Sequence, residues 1–206
     1  MQKNIKKYNV SRETLSYLKL YEKSLHEWQK KFNLVSKSSL EDSWNRHFKD
    51  SVQLFELVPE RAKLLYDFGS GAGFPGMVLA IIAKTETPYL NIKLVESINK
   101  KTLYLKHVAE ITNTKVDIIN DRIENIKPEK ADVITSRALA SLKELLDYTH
   151  GFFHKETKAI FPKGKKYKEE IDEAKKHWSF NVEIIPSETS NEGVILVVTN
   201  LKKKGK

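Results

Sequence analysis

The chain has 206 residues, 40% of them hydrophobic, a formal net charge of +9 and no cysteine. Without thiols, disulfides, thiolate metal sites and covalent cysteine catalysis are excluded, including attack of a cysteine on a pyrimidine ring. The positive charge is open to two readings, a polyanionic partner or a lysine-rich solvated surface. No apolar run reaches membrane-span length and Met1 to Tyr8 lacks the core of a secretory signal, so a cytoplasmic protein without membrane contact is expected.

Ser11 can cap a first helix whose Leu18, Tyr21, Leu25, Trp28 and Phe32 fall on one apolar stripe. Asn33-Leu34-Val35-Ser36 breaks that period. A second helix is expected from about Ser39 through Trp44, Phe48, Val52 and Phe55 to Pro59. Residues 1–59 therefore read as a helical extension packed on a core formed by residues 60–206.

From Ala62 short apolar runs alternate with amphipathic segments, as in βα units. The pattern predicts strands at 63–68, 89–96, 115–119, 131–135, 158–161, 180–185 and 194–199. Helices are expected at 76–84, 99–112, 141–150 and 165–178. Only residues 186–193 separate the last two strands, which predicts an antiparallel pair at the sheet edge. The lysine-rich tail, Lys202-Lys203-Lys204-Gly205-Lys206, reads as disordered.

Between the first strand and its helix lies Asp67-Phe68-Gly69-Ser70-Gly71-Ala72-Gly73-Phe74-Pro75-Gly76. Glycines at such a turn admit a ligand that any Cβ would exclude, and the helix start offers free N–H groups. Two ligands compete. Gly71 to Gly76 matches the dinucleotide pattern G-x-G-x-x-G, but Asp67 would repel a pyrophosphate. The same carboxylate suits a cationic ligand, and S-adenosylmethionine, with its ammonium and sulfonium, fits. A side chain at Gly69 is expected to project against that donor.

In an open α/β sheet the ligand lies at the carboxyl ends of the strands. Glu96, after the second strand, can accept both ribose hydroxyls of an adenosine. Asn120 to Glu124 follow the third strand, Thr135-Ser136-Arg137 the fourth and Pro162-Lys163-Gly164 the fifth. On a helix His47, Asp50 and Ser51 share a face that either roofs the pocket, meets RNA or docks an accessory helix. Arg137 is open to a structural ion pair, and Lys163 to a phosphate contact or plain solvation. The remaining histidines lack metal-ligand spacing, so no metal is expected.

Asn33-Leu34-Val35, Arg46-His47-Phe48-Lys49-Asp50-Ser51, the glycine turn with Phe74-Pro75-Gly76, Ser136-Arg137-Ala138 and Lys163-Gly164 occur in that order. Together they closely resemble the RsmG (GidB) family, bacterial guanine-N7 methyltransferases of 16S ribosomal RNA, from about Tyr17 to Val198. The resemblance implies a class I (Rossmann-like) methyltransferase fold of α/β type, with a seven-stranded, mostly parallel sheet. It places Gly69 and Phe74 in the donor pocket beside Gly71, Ile123 and Glu124 at the adenosine half, and Arg137 completing the site. Arg46, His47 and Lys163 are the candidate substrate contacts. The chain has Glu96 where relatives often have aspartate, and Phe68 where they often have a smaller aliphatic residue.

Guanine N7 carries an in-plane lone pair, so its methylation needs no general base, and no residue is nominated as catalytic acid or base. The Asn/Asp-Pro-Pro-aromatic stretch used for exocyclic amines is absent; Thr135-Ser136-Arg137-Ala138 stands there instead. The expected partner is 16S rRNA or the small ribosomal subunit, with the chain as a monomer. An NAD(P)-dependent oxidoreductase using the same turn, or a non-catalytic RNA-binding protein, are the alternatives.

Overall fold

The computed structural model describes residues 10–205; expectations resting on Met1 to Asn9 or on Lys206 lie outside the described residues. Helix α1 spans Arg12–Gln29, and the Ser11 hydroxyl accepts the Thr14 N–H at 3.0 Å as its cap. Leu18, Tyr21 and Leu25 form its buried face. The helix stops short of Phe32 because the Gln29 side chain captures the chain beyond it. Its Oε1 accepts the N–H groups of Leu34 (2.9 Å) and Val35 (3.1 Å), and its Nε2 donates to the Val35 carbonyl at 2.9 Å.

The single second helix expected from the sequence is instead four short pieces. These are α2 (Lys37–Glu41), a π-helical turn (Trp44–Lys49), α3 (Asp50–Val52) and a 3-10 turn (Phe55–Leu57). Apolar spacing alone does not reveal the wide turn, in which the Arg46 carbonyl bonds outside the helix, to a residue far along the chain.

The core follows as β1 (Leu64–Phe68), α4 (Gly76–Glu86), β2 (Asn91–Val95), α5 (Asn99–Ile111), β3 (Asp117–Ile119) and β4 (Val133–Thr135). Then come α6 (Leu142–Thr149), β5 (Lys158–Lys163), α7 (Tyr167–His177), β6 (Trp178–Pro186) and β7 (Val194–Lys203). The sheet order is β3-β2-β1-β4-β5-β7-β6. Strands β1 to β5 pair in parallel, and β7 runs antiparallel to both β5 and β6.

The placement of β7 inside and β6 at the edge follows from their side chains. Ile195 to Val198 are buried without alternation and need a neighbour on each side, whereas β6 alternates and tolerates solvent. One expectation is corrected here. Lys202 and Lys203 are not a loose tail: they pair with Ser179 and Trp178, because backbone ladder bonds form whatever the side chain.

Each face of the sheet has its own apolar layer. On one face α1, Phe48 and Val52 pack with Met77 to Ala83 of α4 and with Leu105 and Val108 of α5. Helix α4 is buried from Gly76 to Ala83, which explains why its sequence is apolar all round. On the other face Tyr66, Phe68, Leu142, Leu146, Phe152 and Trp178 pack together. Among the described residues no helix is long and apolar enough to cross a membrane.

Candidate active site

The strand order reverses between β1 and β4, and a crevice opens there at the carboxyl ends of the strands. The turn after β1 folds over the end of β2, where the Val95 carbonyl accepts the N–H groups of Gly69 (2.9 Å) and Ser70 (3.0 Å). Gly69, Gly71 and Gly73 have φ of +68°, +59° and +99°, a region that side chains disfavour. Their surroundings differ. A Cβ on Gly71 would meet only the Gly69 carbonyl oxygen, at 3.8 Å, whereas one on Gly73 would strike the Tyr21 hydroxyl and Met77. A Cβ on Gly69 would meet Leu139 at 2.8 Å, so that position borders a side chain and not simply an open ligand space.

Asp67 overturns the charge argument drawn from the sequence. Its carboxylate is fully buried and does not face the cleft. Strand register sets it opposite Thr135, whose hydroxyl donates to Oδ1 at 2.7 Å, while the Gly76 N–H donates to Oδ2 at 3.2 Å. Asp67 thus braces the glycine turn against β4 and the start of α4. Burial raises its pKa to about 6, against the opposing hydrogen bonds from Thr135 and Gly76.

An acid raised in the folded state stabilises most when protonated, and that contribution is lost as pH rises from about 3.8 through 6. Asp67→Asn removes the titration while keeping a partner for each group, since Thr135 can also accept. The stability of the variant relative to wild type should therefore increase by about 2 kcal/mol between pH 4 and pH 7.5. Urea unfolding of both proteins at each pH measures this, and a pH-independent difference would contradict it.

Glu96 is 6% exposed, and its two oxygens take the N–H groups of Gly71 (2.9 Å) and Ile98 (2.8 Å). It backs the turn from behind, and the cleft wall proper is Gly71. Asn120 ties the neighbouring strand ends, donating to the carbonyls of Glu96 and Ser97. Ile123 lies in the apolar layer and Glu124 is exposed on the 3-10 turn Ile123–Asn125; neither lines the cleft.

The cleft itself has a volume of about 610 Å³. Gly69, Gly71, Phe74, Arg46, His47, Arg137 and Lys163 all line it, though they come from distant parts of the chain. The Phe74 ring is sandwiched, stacked on Tyr21 at 5.2 Å and on His47 at 4.8 Å, so it is a buried wall and offers no open face. The Arg137 guanidinium lies 5.3 Å from the same ring. Arg137 Nη1 donates to the Arg46 carbonyl (2.9 Å) and pairs with Asp50 (3.1 Å), and Nη2 meets His47 Nδ1 at 2.8 Å. The face of His47 and Asp50 therefore roofs the cleft and docks the extension at once.

Burial, with the adjacent Arg137 and Arg46 charges, lowers the His47 pKa to about 3, so its ring is neutral at physiological pH. Lys163 is not a free phosphate-seeking cation. Its side chain is 8% exposed and its ammonium is held by Glu170 and the Ala140 carbonyl, each at 2.7 Å. Among the described residues, Arg46 and Lys101 are the cleft-lining cations whose side chains make no hydrogen bond or ion pair.

Sequence reasoning missed Lys101, Thr189 and the exposed Ile98 beside Glu96. A lysine in the first turn of α5, where the macrodipole disfavours it, was a readable signal for Lys101. Nothing local marked Thr189.

Residues 14–193 match the family described as GidB, rRNA small subunit methyltransferase G. The chain is 40% identical over 198 residues to the ribosomal RNA small subunit methyltransferase G of Rhodospirillum centenum, covering 96% of this chain and 89% of that one. With the protein of the same name from Parvibaculum lavamentivorans it shares 43% over 195 residues, covering 94% and 86%. The chain belongs to this family.

Among solved structures it is similar to a TehB-like SAM-dependent methyltransferase from Corynebacterium glutamicum. The TM-score is 0.59 at 15% identity, over 89% of this chain and 98% of that one. That likeness establishes the class I methyltransferase fold expected from the sequence. Membership of the GidB family disfavours both the oxidoreductase and the non-catalytic alternatives. The family match takes in every candidate site residue from Arg46 to Lys163.

Proposed function

We propose that this GidB-family chain is an S-adenosylmethionine-dependent methyltransferase acting on N7 of one guanosine in 16S rRNA, as a cytoplasmic monomer working on the small ribosomal subunit. The cleft beside Gly71 carries the reading: backbone without side-chain bulk forms its wall, and a buried carboxylate stands behind it. When bound, the donor supplies a methyl group on a sulfonium, which becomes a neutral thioether as the positive charge passes to the purine.

The residues present fit such a donor. Each Glu96 oxygen holds one backbone N–H and retains a lone pair for a ribose hydroxyl. Exposed Ile98 offers an apolar face for the base, and Ile123 and Glu124, on the turn after β3 and outside the cleft lining, are proposed for the same adenosine half. Gly69 and Gly71 let the backbone close on the donor, the Phe74 wall excludes water and Arg137 aims its remaining N–H groups at a carboxylate. Arg46 is assigned to an RNA phosphate and His47 to the roof above the base. Lys163, already paired, positions the loop at Ala140. No side chain has to remove a proton, because N7 offers its lone pair directly.

The test is transfer of labelled methyl from S-adenosylmethionine to small ribosomal subunits lacking the modification, followed by borohydride–aniline cleavage, which reports N7-methylguanosine. A single cleavage site in 16S rRNA is the expected result. Label on an exocyclic nitrogen or on carbon would refute the N7 assignment, and transfer only to protein would refute the RNA substrate.

A further inference from the structure

Arg137 follows β4 in a loop whose next residue, Ala138, has φ +53°, and nothing in that loop holds the guanidinium. Every hydrogen-bond partner of its side chain among the described residues comes from the stretch Arg46–Asp50 of the extension. The π-helical turn supplies the Arg46 carbonyl, His47 supplies Nδ1 and Asp50 supplies Oδ2. A guanidinium has five N–H donors, and these bonds leave Nε–H and one Nη2–H uncommitted.

Asp50 is itself immobilised. Its Oδ1 accepts from the Thr189 hydroxyl at 2.7 Å and from Gln53 Nε2 at 2.9 Å, so the carboxylate is gripped by the extension and by the β6–β7 loop. His47 can accept from Arg137 only as a neutral ring, and its Nε2 is then buried without a partner among the described residues. An unsatisfied buried donor is unfavourable for folding, and such arrangements persist where a site needs them.

We propose that Asp50 and His47 are positioning residues for donor binding: they lock the Arg137 guanidinium in one orientation and cancel its charge, so that its free N–H pair meets a carboxylate. This rests on the methyltransferase reading. Two physical effects support it. Fixing the fork before binding removes the cost of ordering it when the ligand arrives. The cleft also holds the cations Arg46 and Lys101 without side-chain partners, and a further unpaired charge would repel a donor bearing a sulfonium.

The experiment is a double-mutant cycle read by calorimetry of S-adenosylmethionine binding to the full chain. Asp50→Asn should weaken binding about 10-fold beside Arg137 but less than about 2-fold in an Arg137→Met background. Equal losses in the two backgrounds would mean that Asp50 serves the fold alone, and would overturn the proposal. A second arm covers failure of either variant to fold: His47→Leu should lose about 10-fold, and His47→Asn, which keeps an acceptor near Nδ1, should recover most of it. Equal losses for Leu and Asn would overturn the role of His47. Absence of donor binding by the wild-type chain would refute the methyltransferase reading and this inference together, whereas wild-type binding with additive losses refutes the inference only.

Discussion

Valine in place of Gly76 is expected to cost about 4 kcal/mol or more of folding stability. A Cβ at that position would run into the Leu94 side chain and lie 2.6 Å from both Cβ and Oδ2 of Asp67. All three groups are buried in the layer between α4 and the sheet, and none can retreat into solvent. The added bulk would also push the Gly76 N–H away from Asp67, leaving a buried carboxylate short of a donor. Urea denaturation measures the loss. Gly164→Val is the matched control, because a Cβ there has nothing within 4 Å. A Gly76 variant as stable as that control would show that α4 can move away from β1.

Valine at Gly71 should have the opposite profile. The left-handed backbone, with φ +59°, makes a β-branched residue unfavourable by about 1–2 kcal/mol, but the space around the new Cβ is open. The protein is expected to fold, with donor affinity reduced at least about 100-fold, because the side chain would stand in the cleft where backbone now forms the wall. Circular dichroism and calorimetry with S-adenosylmethionine separate the two effects. A folded variant that binds the donor normally would place the donor elsewhere. Gly69 is the less informative choice, since a substituent there first displaces the half-exposed Leu139.

These two glycines look alike in the sequence, and their different roles illustrate the limit of local reading. The turn itself was legible, because an apolar strand, alternating glycines and a fresh apolar run have few other solutions. Asp67 was misread for a related reason. An acid at the end of a strand resembles a ligand group until the register with Thr135 and the return of Gly76 supply its partners from 68 and 9 residues away. Lys163 was ambiguous on the page and is resolved by Glu170, one helical turn into α7. The interruption of the second helix was invisible, since its payoff is a carbonyl offered to Arg137, far along the chain.

Periodicity, glycine spacing and the ordered motifs were enough to establish the α/β class, the number of strands, the antiparallel end and the family. Those properties are short-range: alternation and turn chemistry act over a few residues, and a one-dimensional string records them. Whether a polar residue faces the cleft, braces the turn or cancels another charge was decided by packing. Asp50, Arg137 and Thr189 meet only because two layers of helices close on one sheet, and the energy of a buried charge depends on neighbours that adjacency along the chain does not reveal.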